Sequence, residues 1–331
     1  MVSSISPLPL PSCTHRNGDP GKRVVKAWAR SGRSGVVSDR SGSRPTMRFG
    51  ERVRKIERED RLDPLIFRVK KIAERLPTGT VRDVLHGVQF GHPLHSIMVH
   101  LPIGTWTSAV LLDLLPGKNE RSAHTLINIG LLAALPAAVS GLADWSQQHE
   151  RQQRVGVVHA MSNGVGVLLF GASSLTRATG HKSWGKALAL AGMGTVGFGG
   201  ALGGHITYYR AGGANRADHF IDVLPEGWHD LGPLDQYPQE GMGGGAVDSV
   251  PVVVTRTEDA VSVLLGSCPH MGAPLSEGEL VQGCVRCPWH GSEFRADDGT
   301  VVHGPATASL ESLETSIVDG RLWVRPRMSV E

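Results

Sequence analysis

Four long apolar runs fill the middle of the chain, at 97–115, 125–143, 155–175 and 187–204, and polar segments frame them on both sides. Each run reaches ~18–20 residues, enough for a helix rising ~1.5 Å per residue to cross a ~30 Å hydrocarbon layer. The runs are rich in Gly and Ala. Gly199 with Gly203, and Gly200 with Gly204, make small-xxx-small pairs that let helices pack closely in lipid. A soluble bundle of buried helices is the rival reading. Four such runs in succession, joined by short polar loops, instead predict a membrane all-α four-helix bundle over 91–215.

The flanks follow other patterns. In RLDPLIFRVKKIAERL (61–76), Leu65, Ile66, Val69, Ile72, Ala73 and Leu76 recur at helical intervals, with Arg68, Lys70, Lys71 and Arg75 between them. That predicts an amphipathic surface helix and linker over 61–90, lying along a membrane or packed as an ordinary soluble helix. Residues 1–60 read as a disordered basic tail, with no secretory signal at their start. Met47 is an alternative start. Beyond the bundle the period shortens. Strand-like runs at 250–255, 261–266, 279–285, 313–318 and 321–325 predict an all-β antiparallel sandwich over 250–327. Residues 216–249 are its linker and start, and the GMGGGAV run (241–247) is too glycine-rich for a buried element.

Charge adds an orientation. The chain has 331 residues, room for two domains and tails, and a net charge of only +3. Fourteen of its Lys and Arg fall in the first 61 residues, which excludes no membrane role and points to no nucleic acid partner. Four spans place both chain ends on one side. Arg151 and Arg154 on that side stand against Lys118, Arg121, Arg177, Lys182 and Lys186 on the other. The basic residues before the first span, with Arg210 and Arg216 after the last, tip the ends toward the cytoplasm. The expected location is the bacterial cytoplasmic membrane, with the β domain on its cytoplasmic side and the lipid bilayer as a partner.

The chemistry lies in the β domain. Cys268-Pro269-His270 and, sixteen residues on, Cys287-Pro288-Trp289-His290 offer one thiolate and one imidazole each. Thiolates suit sulfide-bridged iron, and neutral imidazoles raise its potential. Zinc is the plainer alternative, since Cys284 and Cys287 also form a CxxC. Two of the four cysteines go to iron, so this is no disulfide framework.

The C-x-H…C-x-x-H pattern resembles the Rieske [2Fe–2S] proteins over about 221–327, with Gly272, Gly291 and a Gly304-Pro305-Ala306 loop that covers the cluster in that family. The resemblance implies Cys268 and Cys287 on one iron and His270 and His290 on the other. Ala273 and Trp289 stand where quinol-oxidising Rieske proteins carry a bridging disulfide, so the chain resembles the soluble ferredoxin-type subgroup. Ser292 matches a cluster hydrogen-bond donor of the high-potential subgroup, and Phe294 replaces its tyrosine partner. Together these imply a potential between the two subgroups. The middle resembles an uncharacterised bacterial family of four-helix membrane domains, through GHPLHSIMVHLPIG (91–104), GLADW (141–145) and GGHITYYRAGG (203–213).

Topology gathers further ionisable residues on the β-domain side. His100 and His159 lie four residues inside the first and third spans. His205 and Asp144 close the fourth and second, and His92 and His95 precede the first. Ionisable groups in a membrane hint at function. Three readings stand: two imidazoles, His100 and His159, as axial ligands of a b-type haem; a quinone or other metal site; or imidazoles that merely hydrogen-bond across helices or reach into head groups. The expected function is a membrane-anchored Rieske protein carrying single electrons between a membrane quinone or haem site and a cytoplasmic redox partner protein of unknown identity. It would be an oxidoreductase component with no catalytic residue of its own. A Rieske oxygenase fits poorly, because few residues follow the last strand. The alternative from another class is a membrane redox sensor that uses the cluster without substrate turnover.

Overall fold

The computed structural model describes residues 49–258 and 260–327. Most of the expected basic tail, with Met47, lies outside the described residues. Three short helices come first: α1 (Phe49–Ile56), α2 (Asp63–Ala73) and α3 (Thr80–His86). The first span follows in two pieces, α4 (Leu94–Met98) and α5 (His100–Leu114). The break has a local cause: Pro102 has no N–H to offer the Met98 carbonyl. α6 (Glu120–Ser146), α7 (Glu150–Ala178) and α8 (Lys182–Gly204) complete the set, and a π-turn at His205–Tyr209 extends α8.

These four spans are long and apolar enough to cross a membrane. Their outer faces are apolar as well. Leu132, Leu135, Leu168 and Leu175 are 71, 65, 73 and 70% exposed, a surface that suits lipid and not water. The soluble-bundle reading fails on that point. Inside, Trp106 stacks on Phe170 at 4.4 Å. Gly130 makes room for it, since a Cβ there would lie 2.3 Å from the indole nitrogen. At the end away from the β domain a buried Arg177–Asp113 pair ties α7 to α5. Only one of the two expected glycine pairs works in packing. Gly199 and Gly203 receive Asn163 and His159 of α7, whereas Gly200 meets nothing within 4 Å.

The amphipathic segment forms α2, with Pro64 in its first turn. Ile66 packs on Trp145 and Val157, at the facing ends of α6 and α7, while Phe67 and Ile72 stay exposed.

After α9 (Asp218–Val223) the described residues form antiparallel β-strands joined by turns, two of them short 3-10 turns. The strands are β1 (His229–Pro233), β2 (Gly241–Val247), β3 (Val250–Arg256), β4 (Val261–Leu265), β5 (Glu279–Val281), β6 (Cys284–Arg286), β7 (Glu293–Arg295), β8 (Val301–His303), β9 (Ser312–Val318) and β10 (Arg321–Pro326). A six-stranded sheet, β1-β10-β9-β4-β3-β2, packs with a four-stranded sheet, β5-β6-β7-β8. β3 shows the period-2 logic: Val252 and Val254 face one core with Leu322 and Val324, and Val253 faces the other with Cys268, Cys287 and Phe294.

Two expectations change here. The 279–285 run is a hairpin of β5 and β6, because Gln282 and Gly283 turn it at φ 50° and 77°. The GMGGGAV run is not a linker but the edge strand β2, paired with β3 along its length. Its glycines are needed there. Tyr237 lies across the strand, and a Cβ at Gly243 or Gly245 would come within 3.0 Å of it.

Candidate functional site

Two loops of the β domain, one after β4 and one between β6 and β7, are built alike. The Cys268 N–H donates to the Ala273 carbonyl at 2.9 Å, and the Cys287 N–H to the Ser292 carbonyl at 2.8 Å. Gly272 and Gly291 close each turn with N–H bonds back to the Cys268 and Cys287 carbonyls. Their φ values of 76° and 73° are left-handed, which glycine adopts without strain. The pattern brings the cysteines together and sets the His270 and His290 rings 4.9 Å apart, nearly perpendicular.

The donor set fits an iron–sulfur cluster. The His270 Nδ1 atom is buried with no hydrogen-bond partner, a costly state unless a metal takes its lone pair. Both sulfurs are buried and hydrogen-bonded to each other, which lowers the Cys287 thiol to about 7 and raises that of Cys268. Backbone N–H groups of His270, Met271, Trp289 and His290 also point at these sulfurs. Burial, followed by the neighbouring His290, His86, His149 and Arg216, lowers His270 to about 3. Burial, then His149 and Lys70, lowers His290 to about 4. Both imidazoles are therefore neutral at pH 7, as ligands must be. No three His, Cys, Asp or Glu side chains among the described residues converge on one ion. A single structural zinc needs four donors at one point. Two donors per metal suit a pair of bridged irons instead.

A third loop closes over this pair. Ser292, fully buried, accepts the Ala306 N–H at 2.9 Å and so ties the second ligand loop to Gly304-Pro305-Ala306. Phe294 is buried in the core beneath.

The same tip rests on the helical domain. Asp83 of α3 accepts the Gly304 N–H at 3.0 Å and pairs with His303 at 2.8 Å. His86 and Val88 pack against Gly304. The Arg216 N–H donates to the Pro269 carbonyl at 2.8 Å. His149, in the α6–α7 turn, stands 5.7 Å from the Trp289 ring and 6.5 Å from the His290 ring. Burial, then Arg216, holds His149 below the usual imidazole range. Trp289 is 47% exposed and leans on His149, so it does not fill the β core.

The expected membrane histidines separate. His95 and His159 come together, with ring centroids 6.3 Å apart. His100 does not join them; it is exposed and reaches only the Ile97 carbonyl of its own turn, at 3.3 Å. His205 is buried and bonds Glu57 at 2.8 Å, beside Arg210. Asp144 bonds His86 at 2.8 Å, below the docked tip. Sequence reasoning missed Glu57, Asp83, His86 and His149. Of these only His149 carried a signal, since the turn between the second and third spans had to lie on the β-domain side.

Comparison with known proteins agrees with this division. The family model "Rieske [2Fe-2S] domain" matches residues 227–314, and "Predicted membrane protein (DUF2231)" matches residues 91–216. The anthranilate 1,2-dioxygenase ferredoxin subunit of Burkholderia cepacia is 31% identical over 97 residues, covering 29% of this chain and 90% of that protein. Ferredoxin CarAc of Metapseudomonas resinovorans is 32% identical over 78 residues, covering 24% and 73%. The oxygenase component of dicamba O-demethylase from Stenotrophomonas maltophilia is 30% identical over 106 residues, and the match spans 30% of this chain and only 31% of that protein. Joined to a helical domain of the DUF2231 type, the β domain carries the ferredoxin-like likeness across nearly its whole length, and by it the chain belongs to the Rieske [2Fe–2S] family.

Proposed function

We propose that this chain is a membrane-anchored Rieske electron carrier whose cluster tip docks on its own membrane domain. In this reading Cys268 and Cys287 hold one iron and His270 and His290 the other. When bound, the cluster stores and releases one electron at a time. The chain's residues do the rest. The buried loops exclude water from the sulfurs, Ser292 offers its hydroxyl hydrogen to a sulfur, and Asp83 fixes the covering loop. The carrying observation is the docking itself: the two imidazoles face His149 and the bundle, so the short route for an electron leads into or out of that bundle. The site there would be a quinone or a b-type haem. Because the similar proteins include dioxygenase ferredoxin subunits, the other partner is an oxidoreductase protein on the β-domain side, taken here as cytoplasmic.

Purified chain in lipid nanodiscs tests the proposal. A quinol or a reductase should reduce the cluster, as followed by its visible absorption, and an external acceptor should re-oxidise it over many turnovers. Cluster reduction without turnover, accompanied by a partner that binds in one redox state only, would overturn the carrier reading in favour of a sensor.

A further inference from the structure

His95 and His159 are held by the same device on two different helices. The His95 Nδ1–H donates to the Ala137 carbonyl of α6 at 2.8 Å, and the His159 Nδ1–H donates to the Gly199 carbonyl of α8 at 2.7 Å. A carbonyl only accepts, so each Nδ1 must carry the proton and each Nε2 keeps its lone pair, which at His159 accepts from the Asn163 amide. In both cases a glycine four residues beyond the carbonyl opens the space for the ring. A Cβ at Gly141 would lie 2.7 Å from His95 Nδ1, and one at Gly203 would lie 3.1 Å from His159 Cε1. A backbone carbonyl behind the far nitrogen is the usual support of a metal-binding imidazole.

The spacing suits a metal between the rings. Two metal–imidazole bonds of about 2.0–2.1 Å, plus about 1.1 Å from each nitrogen to its ring centre, give roughly 6 Å between centroids. The observed separation is 6.3 Å, with ring planes crossed at 79°. Among the described residues no third His, Cys, Asp or Glu joins the pair. A metal with only two axial protein donors needs its equatorial donors from the ligand itself, which is the chemistry of an iron tetrapyrrole. No cysteine occurs between Cys13 and Cys268, so the bundle has no thiol for covalent attachment.

We infer that His95 and His159 are the axial ligands of a non-covalently bound, b-type haem in the half of the bundle facing the Rieske tip. The inference deepens the electron-carrier proposal and rests on it for the purpose of the haem, not for its presence. His159 lies ten residues along α7 from His149, about 15 Å of helix rise. The two one-electron centres would thus stack along the bundle axis. Asn163, whose Nδ2 is 3.1 Å from His159 Nε2, must swing aside when iron binds.

The test uses the full chain, expressed with haem precursor, extracted in detergent and supplied with hemin. The expected result is a Soret band with one haem per chain by the pyridine haemochrome method. His95→Ala and His159→Ala should each lower bound haem by about tenfold or more, and His100→Ala should leave it unchanged. The EPR signal of the reduced cluster, retained in every variant, shows that the chain still folds. His95→Met, which keeps a ligand of different chemistry, should retain haem with a shifted spectrum. A wild-type chain that shows the cluster signal but takes up no hemin overturns the inference, as does haem retained by both alanine variants. Haem that binds and then exchanges no electron with the cluster overturns the electron route proposed above and leaves this site standing.

Discussion

The Rieske domain and the helical bundle hold their polar groups in opposite ways. In the Rieske domain the four candidate iron ligands sit within residues 268–290, on two loops whose backbone bonds repeat. In the bundle, His95 and His159 come from separate hairpins, and each is held by the carbonyl of another helix. The first arrangement is local and survives inside any scaffold that closes the two turns. The second exists only when four helices are packed, because neither imidazole has its support on its own helix. A site of the first kind announces itself in a motif. A site of the second kind is made by packing, and its glycines matter as much as its histidines.

The largest expected effect separates the two regions outright. Cys268→Ala should abolish the cluster EPR signal and its iron, while the bundle still elutes as a single species with its haem-binding capacity intact. Collapse of both would show that the bundle depends on the docked domain. A smaller effect probes the join. Asp83→Ala removes the two bonds to His303 and Gly304, a loss of about 1–3 kcal/mol where a buried partner is left unsatisfied. The cluster signal should persist, while the linker around Arg216 becomes open to proteolysis and electron exchange slows. An unchanged digestion pattern would mean that the Arg216–Pro269 bond and the packing on His86 suffice.

At the bundle's rim, burial pushes the Glu57 carboxyl up, but the bonds from Arg210 and His205 outweigh it and hold it below the usual carboxylate range. A depressed carboxylate stabilises the fold above the unfolded pKa and loses that contribution as pH falls through the folded value. The packing of α1 on the bundle should therefore weaken as the pH falls below about 4.3, the unperturbed glutamate pKa. Glu57→Gln should cost about 1.5–3 kcal/mol at pH 7 and flatten that acid dependence, as read by hydrogen exchange of the 49–56 amides. The smallest effects tune the cluster. Phe294→Tyr adds a donor and should raise the potential, and Ser292→Ala removes one and should lower it. Each shift should be roughly 40 mV for about 1 kcal/mol of differential bonding in a one-electron couple. The unmodified protein should titrate inside the ~ −150 to +300 mV Rieske range, away from both ends.

Much was legible in the chain itself. Four hydrophobic runs fixed four helices, since a span's length and composition follow from the thickness it must cross. The Cys-His pairs fixed the chemistry, because few ligand sets combine two thiolates and two imidazoles at that spacing. Strand periodicity exposed β3 and β4, whose side chains alternate between the two cores, and β9 and β10, which send alternate side chains into one of them. It missed the short strands β1, β7 and β8 and the edge strand β2, where glycine yields to the Tyr237 ring, and it merged β5 with β6 across a turn that depends on two positive φ values.

Sequence alone therefore determined the order of the two domains, the side on which their polar ends meet, and the identity of the metal-binding motif, all of which follow from short-range pattern and chain topology. Only the tertiary structure decided which histidine meets His159, because His95 and His100 lie on either side of the helix break at Val99 and differ in angular position. It alone brought Asp83, His86 and His149 against the cluster tip, since contacts between distant segments depend on how surfaces fit and leave no periodic trace in the residues that make them.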